Sequence, residues 1–293
     1  MSTEARLSGL ADLDRWTTAE MVREMNHQDA LVAKAVQSQL PALTAAIDAA
    51  AERMARGGRL VYVGAGTAGR LGVLDASECP PTFGVEPGLV VGLIAGGREA
   101  VTGAVEGAED DEAAAVADLE HLGLAPADTV VGVSASGRTP YAVAAVRHAA
   151  ALGALTVGVS CNRDTALSEA AEHAIEVVVG PEVVSGSTRL KAGTAQKLVL
   201  NMFSTVLMVR LGHTYGDLMV DMVAVNAKLR GRAVRIVAEA ASIPEPEAAE
   251  ALAATNGDVK AAIVVAVTGS SPETAAELLV THGGILRAAL ENR

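Results

Sequence analysis

The segment from Val63 to Val85 places a glycine-rich turn and a carboxylate on one short stretch of chain. The turn reads GAGTAG, follows a strand-like apolar run, and leads into a predicted helix that ends at Glu78, before Cys-Pro-Pro. Backbone N–H groups can approach a ligand closely at such glycines, and the positive end of the helix dipole attracts anions. An anion site with an acid near it suits chemistry on a phosphorylated small molecule. Gly66 and Thr67 are therefore predicted to contact the ligand, and Glu78 is the candidate acid.

A second loop, SASGRTP at residues 134–140, also joins a strand to a helix. It offers hydroxyl and backbone donors to a phosphate, and Thr139 is predicted to cap the helix, with proline at the first helical position. An ordinary helix-capping turn has the same composition, but a second anion-suited turn in one sheet favours a binding site. The residues predicted to bind phosphate in this loop are Ser134, Ser136, Gly137, Arg138 and Thr139.

The acidic run EGAEDDE at residues 106–112 supplies a candidate for a second carboxylate. A run of like charges is usually a solvated helix face, and that alternative stays open here. If the run folds back over the ends of the strands, Glu109 would face Glu78. Two carboxylates around one ligand can divide the roles of general acid and general base.

A third hydroxyl-rich stretch, VSGSTRLKAGT, precedes a long predicted helix. Ser185, Ser187 and Lys191 are predicted to bind substrate there, because cations at a helix N-terminus are disfavoured unless an anion is close. Salt bridges to an acidic protein surface would explain these cations nearly as well.

The composition excludes several classes of protein. Of 293 residues, half are hydrophobic and 2% aromatic, and the formal net charge of −12 disfavours binding to nucleic acid or to a membrane surface. The six histidines show no metal-ligand spacing, so no metal is predicted. The two cysteines form no disulfide framework, and the first residues do not resemble a signal peptide, so a cytoplasmic protein is expected. The match of GAGTAG to a dinucleotide fingerprint is weak, because no acid follows the second strand.

Short apolar runs alternate with alanine-rich helical stretches over the middle of the chain. This rhythm predicts an α/β fold, a doubly wound five-stranded parallel sheet flanked by helices. The predicted strands are 60–63, 89–94, 129–133, 155–159 and 175–179. Ligands of such sheets bind beyond the carboxyl ends of the strands. We expect N-terminal helices at 1–56, a domain that contains the sheet and its following helices at 57–240, and a small helical domain at 241–293.

Several long motifs together resemble the N-acetylmuramic acid 6-phosphate etherases, a family with a sugar isomerase (SIS) domain. They cover nearly the whole chain and read VGAGTAGRLGVLDASECPPTFGV, GLIAGG, AVEGAEDD, SASGRTPY, GPEVVSGSTRLKAGTAQKLVLNM and GDLMVDMVAVNAKL. The final segment, with ALAATNGDVKAAIVV, resembles the ubiquitin-associated (UBA) type of helical domain that ends this family.

The resemblance implies a cofactor-free lyase that cleaves the D-lactyl ether of N-acetylmuramic acid 6-phosphate in cell-wall sugar recycling. It implies a homodimer with its sites near the subunit interface, with a small-molecule sugar phosphate as the ligand. The acid of SECPP, here Glu78, would be the proton donor, and the first acid of the EDD run, here Glu109, the second catalytic residue. One departure concerns the glycine turn, which commonly reads GTSGR in the family and here has Ala68 in place of the serine.

Two other functions fit the same fold. A non-catalytic sugar-phosphate sensor would need the anion site but neither Glu78 nor Glu109. An aldose–ketose isomerase would share proton abstraction at carbon 2 but would release no lactate.

Overall fold

The structure, a computed structural model that describes residues 1–222 and 227–291, contains a five-stranded parallel sheet. The strands of the sheet are β1 (Leu60–Gly64), β2 (Val90–Ile94), β3 (Thr129–Ser134), β4 (Leu155–Ser160) and β5 (His173–Glu176). The helices up to the end of the sheet region are α1 (Thr18–Asp29), α2 (Val32–Gln37), α3 (Leu40–Met54), α4 (Gly66–Phe83), α5 (Glu99–Thr102), α6 (Glu112–His121), α7 (Pro140–Ala151), α8 (Ala166–Ala170) and α9 (Lys191–Arg210).

The chain forms two compact units. The first comprises Met1–Ser77 and Gly88–Ser204, and the second comprises Glu78–Pro87 and Thr205–Arg293. This division follows contacts within the structure. The domain boundaries expected from composition, at 56/57 and 240/241, stay a prediction.

The strand order of the sheet is β2-β1-β3-β4-β5, and every neighbouring pair is parallel. The predicted fold class is therefore confirmed. The order reverses direction between β1 and β3, where the loops that follow these two strands diverge. In open parallel sheets a crevice forms at this switch point, beyond the carboxyl ends of the strands.

Helices cover the sheet on both faces because its strands are apolar on both. Val61 and Val63 of β1 belong to a buried cluster with Tyr141 of α7. Tyr62 lies against Gly72 of α4, where an added Cβ would come within 2.8 Å of the tyrosine Cβ. Since successive side chains of a strand point to opposite faces, α4 and α7 lie on opposite sides of the sheet.

Helix α4 continues beyond the residue at which the sequence predicted its end. It passes through Pro80 and Pro81 to Phe83, and the N–H group of Gly84 donates to the Pro80 carbonyl at 2.9 Å. A proline has no N–H group to donate to the carbonyl four residues earlier, so neither proline can donate to Ala76 or Ser77. The two consecutive prolines therefore remove two hydrogen bonds from α4 without ending it.

Other predicted boundaries shift where glycines or polar turns interrupt a helical pattern. The alanine-rich stretch 99–122, whose composition predicts one helix, is divided into α5 and α6. Gly103 ends α5, and Asp111 caps α6 by accepting a hydrogen bond from the Ala114 N–H at 2.8 Å. The fifth strand begins two residues and ends three residues earlier than predicted, and the Val177 N–H still donates to the Ser160 carbonyl of β4.

The described part of the second unit is helical apart from a two-stranded hairpin, β6 (Thr214–Tyr215) with β7 (Leu218–Met219). The sequence pattern predicts a helix over 218–240, and the hairpin replaces its start. Residues 223–226 of that predicted helix lie outside the described residues. The helices that follow are α10 (Ala227–Ala241), α11 (Glu245–Ala254), α12 (Val259–Thr268), α13 (Pro272–Thr281) and α14 (Leu286–Glu291), and the last four lie where the sequence predicted short helices. Over the described ranges, no single helix has both the length and the hydropathy to cross a bilayer, and α11 and α12 pass only as a pair bent by 115°.

Candidate functional site

A cavity of about 340 Å³ opens at the switch point of the sheet, within the first unit. Its volume is in the range of small-molecule sites. The walls come from the loops after β1 and β3, from the turn before α6, from the start of α9 and from the first residues of the chain. The lining residues are Glu4, Ala65, Gly66, Thr67, Ala68, Glu109, Ser134, Ala135, Ser136, Thr139, Thr188 and Gln196.

Ser134 is the centre of the hydroxyl loop after β3. Its Oγ lies 2.8 Å from the Thr139 Oγ1 and 3.3 Å from the Ser136 Oγ, and it accepts a hydrogen bond from the Gly137 N–H at 3.0 Å. The Ser136 Oγ in turn accepts from the Arg138 N–H at 3.2 Å. These bonds fix three hydroxyl groups along one wall of the cavity, where they can donate to the oxygens of a ligand.

The N-terminus of α7 is left open toward this wall. Thr139 occupies the N-cap position as predicted, with Pro140 after it, but its side chain makes no capping hydrogen bond and is engaged with Ser134 instead. The expectation that the Thr139 side chain caps α7 is therefore wrong, because a neighbouring hydroxyl takes its place as partner. The first N–H groups of a helix without a side-chain cap, together with the helix dipole, attract an anion.

The glycine turn after β1 forms the adjacent wall. α4 begins at Gly66, which has a φ of +54°, and the start of the helix packs closely against the sheet through Gly64 and Gly69. A Cβ at Gly69 would lie 2.7 Å from the Gly64 carbonyl oxygen and 2.6 Å from Ile94 Cγ1. This close approach brings the backbone of Gly66 and the hydroxyl of Thr67 to the cavity.

Two carboxylates line the cavity, and no lysine or arginine does so among the described residues. Glu109 reaches it from the short 3-10 turn Ala108–Asp110, so the acidic run is not a continuous solvated helix face. Glu4 comes from the opposite end of the sequence and had no signal in its surroundings. The preceding residues are held by Asn162, whose Oδ1 accepts from the Ser2 N–H at 2.7 Å and whose Nδ2 donates to the Thr3 Oγ1 at 3.0 Å.

Glu78 lies in α4, three turns after Gly66, and its side chain is exposed. It is not among the residues that line the cavity of the first unit, and it follows directly on Ser77, the last α4 residue of that unit. The pairing of Glu78 with Glu109 stays a prediction.

The segment from residue 184 to 191 contributes less to the cavity than its composition suggested. Thr188 lines the cavity, whereas Ser185 is exposed and neither Ser185 nor Ser187 is among the lining residues. Lys191 is only 2% exposed and donates from Nζ to the Gln28 Oε1 at 2.7 Å. Burial lowers the pKa of this lysine, while the charge of Glu182 acts in the opposite direction.

Gly137 and Arg138 support the hydroxyl loop from outside the cavity. Gly137 has a φ of +69°, and a Cβ there would lie 2.4 Å from the Thr165 Oγ1, so the turn requires glycine. Arg138 is exposed and lines a neighbouring cavity with Asn162 and Arg163. The predicted role of both residues in substrate binding remains a prediction.

Sequence reasoning missed Glu4, Thr188 and Gln196 as lining residues. Thr188 and Gln196 lie inside a motif that had been noted for other residues, and α9 contains several other polar residues, so no local signal distinguishes Gln196.

Metal and thiol chemistry have no centre in the described part of the chain. No group of three or more metal-ligating side chains lies together in residues 1–222 and 227–291. Cys79 and Cys161 are both buried and are not joined in a disulfide. Burial raises the pKa of the Cys161 thiol to about 12, far from that of a reactive thiolate.

Two family models match the chain. The model described as the glucokinase regulatory protein N-terminal SIS domain matches residues 42–150, and the SIS domain model matches residues 111–206. Among solved structures, a phosphoheptose isomerase from Francisella tularensis aligns with a TM-score of 0.54 at 16% identity, covering 66% of this chain and all of the other. A phosphoheptose isomerase from Neisseria gonorrhoeae aligns with a TM-score of 0.50 at 15% identity over 65% of this chain and 98% of the other. These structures show that the fold is shared.

Curated relatives match over the full length. The N-acetylmuramic acid 6-phosphate etherase of Streptomyces coelicolor is 62% identical over 290 residues, which cover 99% of this chain and 93% of the relative. The etherase of Rubrobacter xylanophilus is 59% identical over 98% of this chain and 95% of its own length. The etherase of Salmonella typhimurium is 55% identical over 99% and 98% respectively. With a sheet, cavity and sequence of this kind, the chain belongs to the N-acetylmuramic acid 6-phosphate etherase family.

Proposed function

We propose that this protein cleaves the D-lactyl ether of N-acetylmuramic acid 6-phosphate, giving N-acetylglucosamine 6-phosphate and D-lactate. The observation that carries the proposal is the cavity in which Ser134, Ser136 and Thr139 face the ligand space together with Glu109. Hydroxyl groups and an open helix N-terminus can bind a phosphate monoester without a cation. A carboxylate in the same cavity is free to move protons.

The phosphate would bind to the hydroxyl loop and the N-terminus of α7. No lysine or arginine of the described residues lines the cavity, and this affects the state of Glu109. Glu109 is not neutralised by an ion pair in the cavity, so it remains available as a base.

The reaction is proposed to begin by elimination. In the open-chain sugar, the proton on carbon 2 is acidic because it is adjacent to the aldehyde carbonyl. Glu109 removes this proton, and negative charge develops on the aldehyde oxygen, which requires hydrogen-bond donors nearby. The carbon–oxygen bond at carbon 3 then breaks, and Glu78 protonates the departing ether oxygen to release D-lactate.

Water addition completes the reaction. Glu78, now a carboxylate, accepts a proton from water as the oxygen of that water bonds to carbon 3 of the unsaturated intermediate. Glu109 returns a proton to carbon 2. Both carboxyl groups recover their starting protonation states, so no external oxidant, reductant or cofactor is required.

An assay for D-lactate released from N-acetylmuramic acid 6-phosphate tests the proposed reaction directly. Solvent deuterium is expected at carbon 2 of the sugar product, and labelled oxygen from water at carbon 3. Oxygen label found in the lactate alone would show attack on the lactyl side and refute the elimination. A sensor would release no lactate, and an isomerase would yield a ketose phosphate instead.

The two acids are tested by conservative substitutions with matched controls. Glu78→Gln and Glu109→Gln are each expected to reduce kcat by about 100-fold or more, in line with the loss of a general acid or base. The controls are Glu86→Gln and Asp110→Asn, which alter exposed acids close in sequence to Glu78 and Glu109 and should leave turnover unchanged. Full turnover in either glutamate variant would remove that residue from the mechanism.

We also propose that the protein is a cytoplasmic homodimer with its sites near the subunit interface. Light scattering measures the mass of the particle. Mixing inactive Glu78→Gln and Glu109→Gln subunits tests whether the two acids of one site come from different chains. Restored activity after subunit exchange supports a shared site, whereas a monomeric mass contradicts the dimer.

A further inference from the structure

The side chain of Gln196 is an unexplained buried polar group at the wall of the cavity. The residue is 1% exposed, lies in α9, and lines the cavity with Thr67 and Glu109. Its Nε2 is buried and has no hydrogen-bond partner in the described part of the chain. A buried donor without a partner costs free energy, so such a group in a binding cavity is best explained by a ligand that satisfies it.

The position of α9 indicates which part of the ligand the Gln196 side chain meets. Gly193, one turn before Gln196, packs against Thr67, and a Cβ at Gly193 would lie 3.3 Å from the Thr67 Cγ2. Residues three apart share a helix face, so Gln196 follows Gly193 along the side of α9 that meets the glycine turn. The hydroxyl donors for a phosphate belong to a different element, the loop before α7. A ligand held there by its phosphate presents its carbon chain and acetamido group to the remaining walls.

We propose that Gln196 donates a hydrogen bond from Nε2 to an uncharged oxygen of the bound sugar, a hydroxyl or carbonyl oxygen, and so selects the sugar rather than the phosphate. This inference rests on the proposed function for the identity of the sugar. A neutral carboxamide suits this role, because it recognises an uncharged oxygen without adding charge to a cavity that already holds Glu4 and Glu109.

The test compares two variants that each remove a buried polar atom without a partner. Gln196→Met keeps the length of the side chain and removes the donor. Thr129→Val is the matched control, because the Thr129 Oγ1 is also buried without a partner but lies at the start of β3, away from the lining residues. Neither change breaks a hydrogen bond seen in the structure, so both variants are expected to unfold at the wild-type urea concentration or above it.

Only Gln196→Met should affect ligand binding. Calorimetry with N-acetylglucosamine 6-phosphate is expected to show affinity about tenfold or more below wild type, the usual loss for a removed hydrogen bond in a buried site. The affinity of Gln196→Met for inorganic phosphate, measured in competition with the sugar phosphate, should change by less than about twofold. The affinity of Thr129→Val for either ligand should also change by less than about twofold.

Two outcomes contradict the role assigned to Gln196, and a third contradicts only the proposed reaction. Wild-type affinity of Gln196→Met for the sugar phosphate would make Gln196 a packing residue. An equal loss for inorganic phosphate would place the donor at the phosphate. If wild-type protein binds the sugar phosphate but releases no D-lactate from the muramic acid substrate, the proposed reaction fails while the role of Gln196 in binding is still decided by calorimetry.

Discussion

The N-termini of α7 and α9 look alike in sequence but are completed in different ways. Each follows a stretch rich in serine and threonine. At α7 the loop hydroxyls bond to one another, and the helix start has no side-chain cap. At α9 the carboxylate of Glu182 accepts from the N–H groups of Lys191 at 3.1 Å and Ala192 at 2.9 Å.

The two helix starts differ in whether an anion from outside the protein can bind there. Glu182 is 1% exposed and supplies a permanent anion to the start of α9, so the positive end of that helix is already satisfied. The start of α7 has no such partner and faces the cavity. We therefore expect a hydroxyl-rich helix start to bind an outside anion only where the protein has not provided its own carboxylate.

Removal of the internal anion should have the largest effect. Glu182→Ala deletes two charge-assisted hydrogen bonds and leaves Lys191 buried without that carboxylate, so the free energy of unfolding should fall by about 3 kcal/mol. Urea unfolding measures the change. The exposed Glu169, in the first turn of α8, is the control, and Glu169→Ala should stay near wild type. A loss for Glu182→Ala no larger than that of the control would contradict the comparison.

Removal of the central hydroxyl at α7 should act mainly on binding. Ser134→Ala is expected to weaken affinity for N-acetylglucosamine 6-phosphate by about 10- to 100-fold and to cost about 1 kcal/mol of stability. Ser160→Ala is the matched control, because Ser160 ends the neighbouring strand in register with Ser134 and its Oγ bonds the Asn162 carbonyl at 2.8 Å. Ser160→Ala should lower the free energy of unfolding but leave the affinity for the sugar phosphate unchanged. Equal loss of affinity in both variants would mean that the hydroxyl acts through the fold.

Lys191 provides a pH-dependent test of the start of α9. Its pKa is lowered from 10.5 in the folded state, mainly by burial, so the unfolded chain binds more protons between the lowered value and 10.5. The free energy of unfolding therefore rises with pH across that window through this group. Lys191→Met should remove this part of the rise, as measured by urea unfolding at several pH values. Lys197→Met, at an exposed position of the same helix, should keep it, and parallel curves for Lys191→Met and wild type would disprove the effect.

The start of α4 extends the comparison to a third helix, with the smallest expected change. Ala68 lines the cavity and is 7% exposed, so Ala68→Ser would add a hydroxyl donor at the ligand. Affinity for the sugar phosphate is expected to rise about threefold, or about 0.7 kcal/mol. Ala76→Ser, at a position of the same helix with the same 7% exposure, is the control. Unchanged or weaker binding in Ala68→Ser would show that this turn binds through its backbone alone.

Patterns of short range were enough to predict much of the fold. Alternation of apolar runs with helical stretches predicted the five strands. The serine and threonine residues of the loop after β3 were predicted as ligand contacts, and they do line the cavity. Each of these features depends on residues within one or two turns of each other, which the linear sequence displays.

Long-range pairings could not be predicted in this way. Glu4 reaches the cavity because Asn162, about 160 residues away, holds the first turn of the chain. Lys191 is paired with Gln28 rather than exposed to a ligand, and the unpartnered donor of Gln196 becomes visible only when the burial of α9 is known.

Local sequence patterns are enough to predict the succession of strands and helices along the chain, the glycine and hydroxyl turns, and the acids near them. Backbone sterics, side-chain periodicity and hydrogen-bonding capacity are properties of neighbouring residues. Tertiary structure alone decided which helix start is left open and which receives an internal carboxylate, because that depends on which distant side chains are buried together. Electrostatic interactions act over the distances that folding creates, and those distances are absent from the linear chain.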